Sequence, residues 1–280
     1  MLRSHFGLES NPFDPARKSP LLPHQLDIFE TLKIHCQQGG LCIVMGEPGT
    51  GKSVIKHALI SHDPKRMITP AIARTLHTYT NTLHILCEAF QIETLGRDAT
   101  CEKLLIEAGW KINQEGKMLV PIIDDAHLME VECLRKLRLL FEDFPKNHNL
   151  VLFAQPQLMQ KLHLTVNEDI KSRITYSVKV PRLNPEDMKT FLYAQCDAVG
   201  MGHNTFSDDA VALIVRSSEG LLRRTRNLCI SAMLEAVRDR KQVIGIDQVN
   251  RVLMQPHWRK DHDMVPALSL IHISEPTRPY

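Results

Sequence analysis

Several things are scarce or missing in this chain, and each removes a class of function. There is no Cys-x-x-Cys pair, and the seven cysteines, at 36, 42, 87, 101, 133, 196 and 229, are odd in number and often set in apolar runs. That argues against a disulfide framework or a zinc site and for a reducing cytoplasm. No apolar stretch approaches the roughly 18 residues that a membrane-spanning helix needs. The N-terminus has no apolar signal core. Net charge is nearly absent, +2 over 280 residues, so the surface as a whole is not built for nucleic acid and any basic patch is local. Internal repeats and low-complexity segments are also missing. What remains is an ordinary globular composition, 43% hydrophobic and 24% charged, long enough for one or two domains.

The stretch that organises the chain is Gly46-Glu47-Pro48-Gly49-Thr50-Gly51-Lys52-Ser53. It has the G-x-x-x-x-G-K-S pattern of a phosphate-binding loop. Leu41 to Met45 before it reads as a buried strand, and Val54 to Ser61 after it as a helix. Glycines let the backbone curl its N–H groups toward phosphate oxygens, and the helix N-terminus adds its positive end. Lys52 is expected to reach the β- and γ-phosphates of ATP, and the Ser53 hydroxyl to ligate Mg²⁺. The competing reading is a glycine-rich turn with a chance lysine.

Met118 to Ile123 is a second apolar run, and it ends in Asp124-Asp125. A buried strand that delivers two acids beside a P-loop suits the Walker B role. Asp124 holds the Mg²⁺ water shell and Asp125 polarises the attacking water. Alternatively the two acids open the following helix. The strand Leu150 to Ala154 ends at Gln155, a side chain that either touches the γ-phosphate or is a plain loop amide.

Strands expected at 41–45, within 65–73 and at 118–123, 150–154 and 176–180 alternate with helices at 24–36, 54–61, 80–90, 98–113 and 130–144. Asp98 is expected to cap its helix. This alternation implies an α/β fold, a parallel sheet flanked by helices. Pro181 to Pro185 marks a boundary. Helices at 185–199, 208–217, 222–240 and 246–254 then make a small all-helical lid. The expected organisation is an N-terminal arm 1–23, a nucleotide-binding α/β domain 24–181, a lid 182–257 and a tail 258–280. Phe6, Leu8 and Phe13 mark the arm as packing on something, an adenine ring being one candidate. Residues 268–280 read as a translated sequencing-library adapter and are set aside, so the natural C-terminus is expected to differ.

With these pieces placed, residues 5–257 resemble an AAA+ ATPase of the ExeA/TniB-like group. The carriers are Phe6-Gly7-Leu8, Asn11-Pro12-Phe13, the P-loop, Ile122 to His127, Ala154 to Leu158, Lys171 to Ile174 and Gly220 to Arg224 before Asn227-Leu228-Cys229. The group's usual Gly before Gln-Pro is Ala154 here, and its usual Pro before the sensor-2 arginine is Leu222. The resemblance implies that Gln155 is sensor 1 and Arg223 sensor 2, reaching the γ-phosphate. It implies that Arg173 is an arginine finger acting on a neighbouring subunit. Read from the residues alone, each arginine is also explicable as a surface charge, although the hydrolysis transition state needs cations.

The expectation is therefore Mg²⁺-dependent ATP binding and hydrolysis by a ring or filament homo-oligomer in the cytoplasm. The first biological reading is a DNA-transposition helper that binds duplex DNA and regulates a transposase. It leans on the closing stretch Val249 to Trp258 and on the basic lid, where Arg224, Arg226, Arg238, Arg240 and Lys241 remain once Arg223 is assigned to nucleotide; the competing reading is a solvated helix face. The second is an ATPase of the secretion machinery with a membrane partner. The third is a nucleotide switch with little hydrolysis, because Asp125 stands where Glu is usual.

Overall fold

Strand β1 (Gly40–Met45) occupies an interior position of a five-stranded sheet because four of its six residues are buried on both faces. The structure, a computed structural model, describes residues 1–14, 17, 20–72, 78–93 and 97–258. Preceding β1 are the helices α1 (Leu2–Phe6) and α2 (Pro23–Gln38). After it come α3 (Lys52–His62), β2 (Met67–Ile68), β3 (Ala71–Ile72), α4 (Tyr79–Ala89) and α5 (Asp98–Gln114). Next are β4 (Met118–Leu119), β5 (Ile122–Ile123), α6 (Val131–Glu142), β6 (Asn149–Ala154), α7 (Gln157–Leu162), α8 (Glu168–Lys171) and β7 (Ile174–Lys179).

The main sheet has the order β3-β5-β6-β1-β7, and every pairing is parallel. Leu41 pairs with Leu150 and Val44 with Phe153 along the β1–β6 seam. Alternate side chains serve opposite faces, as the strand period demands. Leu41 and Ile43 enter one core with Leu150 and Leu152, while Cys42 and Val44 enter the other with Val151 and Phe153. β7 lies at the sheet's edge, and its residues alternate between half-buried and exposed.

The two outer runs, expected as single strands, are each broken. Pro70 separates β2 from β3, and Pro121 separates β4 from β5. Proline has no N–H for the ladder, so β2 and β4 form their own two-stranded pair and the sheet resumes at β3 and β5. The carbonyl of Pro70 still accepts the N–H of Ile122 at 2.9 Å. The strand expected within 65–73 also includes Ala73, which lies outside the described residues. Asp98 does not cap α5. Arg97 holds the cap position, and the Asp98 carboxylate accepts the Thr80 hydroxyl at 2.7 Å instead.

Contacts divide the chain into two compact units. One is 15–184 with 219–223, which carries the sheet. The other is 1–14, 185–218 and the chain from 224 on. The second unit holds α9 (Pro185–Asp197), α10 (Asp208–Ser218), most of α11 (Leu222–Arg238) and α12 (Ile246–Leu253). Ser207 caps α10, its hydroxyl accepting the Ala210 N–H at 3.2 Å. The unit's core includes Leu192, Phe206, Ile214, Leu228, Met233 and Val249, and Leu8 and Phe13 of the arm are buried in it. Phe13 meets Phe206 edge-on at 6.3 Å. The arm's aromatic thus serves this helical core, where an adenine ring was one expectation. Its tail, 258–280, is described only at Trp258.

Candidate functional site

In a parallel sheet, whatever follows a strand lies at one edge and whatever precedes it lies at the other. The P-loop follows β1, Asp124 follows β5 and Gln155 follows β6, so the fold brings all three to the same edge. The Gly46 N–H donates to the Ala154 carbonyl at 3.1 Å and pins the loop's start to β6. Thr50 is buried; its hydroxyl donates to the Glu47 carbonyl at 3.0 Å and closes the loop on itself. Gly49 and Gly51 take φ of +91° and +97°, a region that L side chains avoid. A Cβ on Gly49 would stand 2.9 Å from the Arg223 Cβ, and one on Gly51 would stand 2.3 Å from Nε2 of Gln25. These glycines are therefore required by backbone angle and by crowding together.

Lys52 opens α3, and its Nζ donates to the carbonyls of Gly46 at 2.7 Å and Glu47 at 3.0 Å. Burial holds its pKa below the ordinary lysine value, while the Asp124 and Asp125 carboxylates oppose that shift. Asp124 accepts Lys56 Nζ at 2.5 Å on Oδ2 and the Asp125 N–H at 3.0 Å on Oδ1. Asp125 is exposed, at φ +50°, and caps the short 3-10 turn Ala126–Leu128. The alternative reading of these acids as a helix start is thus half right: Asp125 occupies a cap position, without a side-chain hydrogen bond. Next to it, the ring Nδ1 of His127 is buried without a hydrogen-bond partner among the described residues. Burial pulls the imidazole's pKa down against the pull of Asp125.

Arg223, in the first turn of α11, meets the loop through its backbone. Its N–H donates to the Gly49 carbonyl at 3.3 Å, and Leu183 N–H donates to the Gly220 carbonyl at 3.0 Å. The Arg182 guanidinium spans Glu47 of the loop and Glu219 of the turn. Gly220, at φ +76°, lets the turn lie against Arg182 and Leu183. Arg182 holds Glu47 below the usual carboxylate range. Sequence reasoning missed Arg182, Lys56 and Gln25. Nothing local marks them, since each acquires its role through a partner far away in the chain. Ser53 is exposed at the second position of α3, beside Lys52.

Arg173 stands apart from this cluster. It precedes β7 and so lies at the opposite edge of the sheet. Its side chain is 62% exposed, with Nη2 3.3 Å from Glu142 Oε1, the same carboxylate oxygen that Arg138 Nη1 meets at 2.9 Å. These side chains line a cavity of about 300 Å³ with Gly39, Gly40, Lys146 and Thr175.

The residues present fit a nucleotide triphosphate with Mg²⁺. At Gly49 and Gly51 the loop admits only glycine, and its lysine hydrogen-bonds neutral carbonyls. Gln25 Nε2 is buried beside the loop without an acceptor among the described residues, although its Oε1 accepts the Leu22 N–H at 3.1 Å. Two carboxylates stand at the same edge, with Ser53 at the start of α3.

Comparison with known proteins agrees. A family profile described as AAA domain matches residues 34–162. The chain is 28% identical over 246 residues to General secretion pathway protein A of Aeromonas hydrophila, which covers 84% of this chain. It spans 45% of that relative's length. Among solved structures, the Aeropyrum pernix ORC2 protein superposes with a TM-score of 0.68 at 14% identity, over 88% of this chain and 72% of its own. Drosophila ORC bound to DNA gives 0.62 at 17% identity, over 90% of this chain and 64% of its own. The Thermotoga maritima RuvB Holliday junction branch migration motor gives 0.54 at 14% identity, over 85% and 70%. At these identities the solved structures speak for the fold alone. The chain is thus similar to AAA domains over residues 34–162 and to an ExeA-type protein over most of its length. Among the described residues, no helix is long and apolar enough to cross a membrane.

Proposed function

We propose that this chain is a Mg²⁺-dependent ATPase that acts as a cytoplasmic homo-oligomer and helps DNA transposition, binding duplex DNA and regulating a transposase. The observation that carries the ATPase reading is the meeting of the P-loop, Asp124, Asp125, Gln155 and Arg223 around one sheet edge. Bound Mg²⁺-ATP supplies the phosphoanhydride to be cleaved and the negative charge that the cations meet. The loop's N–H groups and the start of α3 donate hydrogen bonds to phosphate oxygens. Lys52 exchanges two carbonyl acceptors for charged ones, a stronger hydrogen bond. Ser53 and Asp124 would hold Mg²⁺, which would supply charge neutralisation for the phosphates. Asp125 takes the proton of the attacking water, Gln155 orients that water, and Arg223 neutralises the γ-phosphate.

Arg173 cannot serve its own P-loop, because it lies at the other edge of the sheet. In this reading it serves a neighbour's, so hydrolysis requires assembly. Specific turnover should rise with protein concentration. Mixing Arg173→Ala with Lys52→Ala subunits should recover part of the activity that each lacks alone, through composite sites. Equal turnover per chain down to a monomer by light scattering would exclude a finger supplied in trans. Removing one such arginine costs on the order of 10³ in rate.

The basic cluster of the helical unit is smaller than the sequence count suggests. Arg226 lies over the Phe191 ring at 5.4 Å and Arg224 over the Trp258 ring at 5.3 Å. Arg238 is 78% exposed, and Arg240 and Lys241 are exposed beside it at the end of α11. The proposed DNA contact therefore shifts to Arg238, Arg240 and Lys241. With about three phosphates per subunit, each chain contributes a salt slope of only about −3, so tight binding depends on several subunits aligned by ATP. Reversing the charge at these three positions should abolish duplex binding at low salt while leaving ATP binding intact. Absence of any ATP-dependent duplex binding by the wild type would overturn the transposition reading. It would leave the second reading, an ATPase of the secretion machinery with a membrane partner, which the name of the Aeromonas relative favours.

A further inference from the structure

We propose that Lys56 is a tethered counter-ion of Asp124, a built-in cation that Mg²⁺ must displace before the site is loaded. This inference rests on the nucleotide-site reading above. Lys52 and Lys56 are one helical turn apart on α3, so they share a face of that helix. Lys52 turns to the loop carbonyls, while Lys56 turns to the acid after β5. The Lys56–Asp124 pair is drawn away from water, with side chains 13% and 22% exposed. Both carboxylate oxygens are engaged, Oδ2 by Lys56 at 2.5 Å and Oδ1 by the Asp125 N–H at 3.0 Å. The group assigned to the Mg²⁺ water shell is therefore already neutralised by a monovalent cation of the chain itself.

The pairing has a direct consequence. A dication approaching Asp124 gains the attraction of the carboxylate but must first loosen the ammonium, which is held nearby by its own helix. Lys56 thereby raises the Mg²⁺ concentration at which the site fills, and it keeps Asp124 oriented while the site is empty. Lys56 is a positioning residue, since its contact is to Asp124. A salt bridge that merely fastens α3 to β5 would change stability and leave the Mg²⁺ requirement alone.

The test is a Mg²⁺ titration of binding, followed with a fluorescent ATP analogue on the full chain. Lys56→Met should lower the Mg²⁺ midpoint about five- to tenfold, the worth of roughly one partly buried ion pair. Lys56→Arg should raise the midpoint, because a guanidinium grips a carboxylate with two parallel hydrogen bonds. Both shifts should vanish in an Asp124→Asn background. If Lys56→Met fails to fold by circular dichroism, Lys56→Arg still decides the question by the sign of its shift. A wild type that binds the analogue with Mg²⁺, together with variants whose midpoint does not move, would overturn this inference and leave the nucleotide site standing. A wild type that binds no analogue at any Mg²⁺ concentration would overturn the nucleotide site itself.

Discussion

Lys52→Ala is expected to weaken ATP binding by about 10- to 150-fold, the loss of a charge-assisted hydrogen bond worth roughly 1.5–3 kcal/mol. Lys52 is the P-loop's own side-chain cation. Its ammonium spans the carbonyls of Gly46 and Glu47 at 2.7 and 3.0 Å, so it is already held against the loop. Alanine at the first position after Gly51 is an excellent helix former, so α3 should start as before. The fold should therefore persist, and a binding titration with a thermal melt on the same sample separates affinity from stability. Wild-type affinity in Lys52→Ala would remove the P-loop from nucleotide recognition.

Asp125→Asn is expected to lower turnover by about 10²–10⁴, the usual worth of a general base, with ATP affinity nearly unchanged. The substitution is well suited to the position. Asp125 sits at φ +50°, and asparagine is one of the few residues at ease in that region. The side chain is exposed and makes no capping hydrogen bond, so little structure depends on its charge. ATP should bind and persist. Turnover equal to wild type would transfer the base to another group, and it would favour neither a switch nor a secretion role by itself. Turnover already negligible in the wild type, with ATP held, would support the nucleotide switch.

The sequence made the site legible where chemistry and backbone coincide. The P-loop is a contiguous string whose glycines are needed for their φ angles and for close approach, and a string of that kind can be read directly. Asp124 was legible because it ends an apolar run, and apolar runs in parallel sheets end at the ligand edge. Arg173 was legible in position but not in company. Nothing in Lys171 to Ile174 announces that Glu142, some thirty residues earlier, holds it at 3.3 Å.

The parts that were not legible depend on distance in the chain. Arg182 and Glu47 are 135 residues apart, yet Arg182 pairs with Glu47 and with Glu219 and so ties the loop to the turn that leads into α11. Lys56 looks like a solvated helix charge until β5 is placed beside α3. Prolines were also underweighted: Pro70 and Pro121 each look tolerable within an apolar run, but on adjacent strands they split the outer sheet together. The basic count along α11 erred for a related reason. Arginines stack on aromatic rings as readily as they face water, and Phe191 and Trp258 lie too far along the chain to enter a local count.

The central claim is that this chain hydrolyses ATP with Mg²⁺ at the Lys52 loop as an assembled enzyme. The most direct test is phosphate release by the wild-type chain with saturating ATP and Mg²⁺, over a range of protein concentrations and beside Lys52→Ala. The account predicts release well above the Lys52→Ala background, rising more steeply than linearly with protein and stopping when Mg²⁺ is chelated. Release no greater than that of Lys52→Ala at every protein concentration would contradict it.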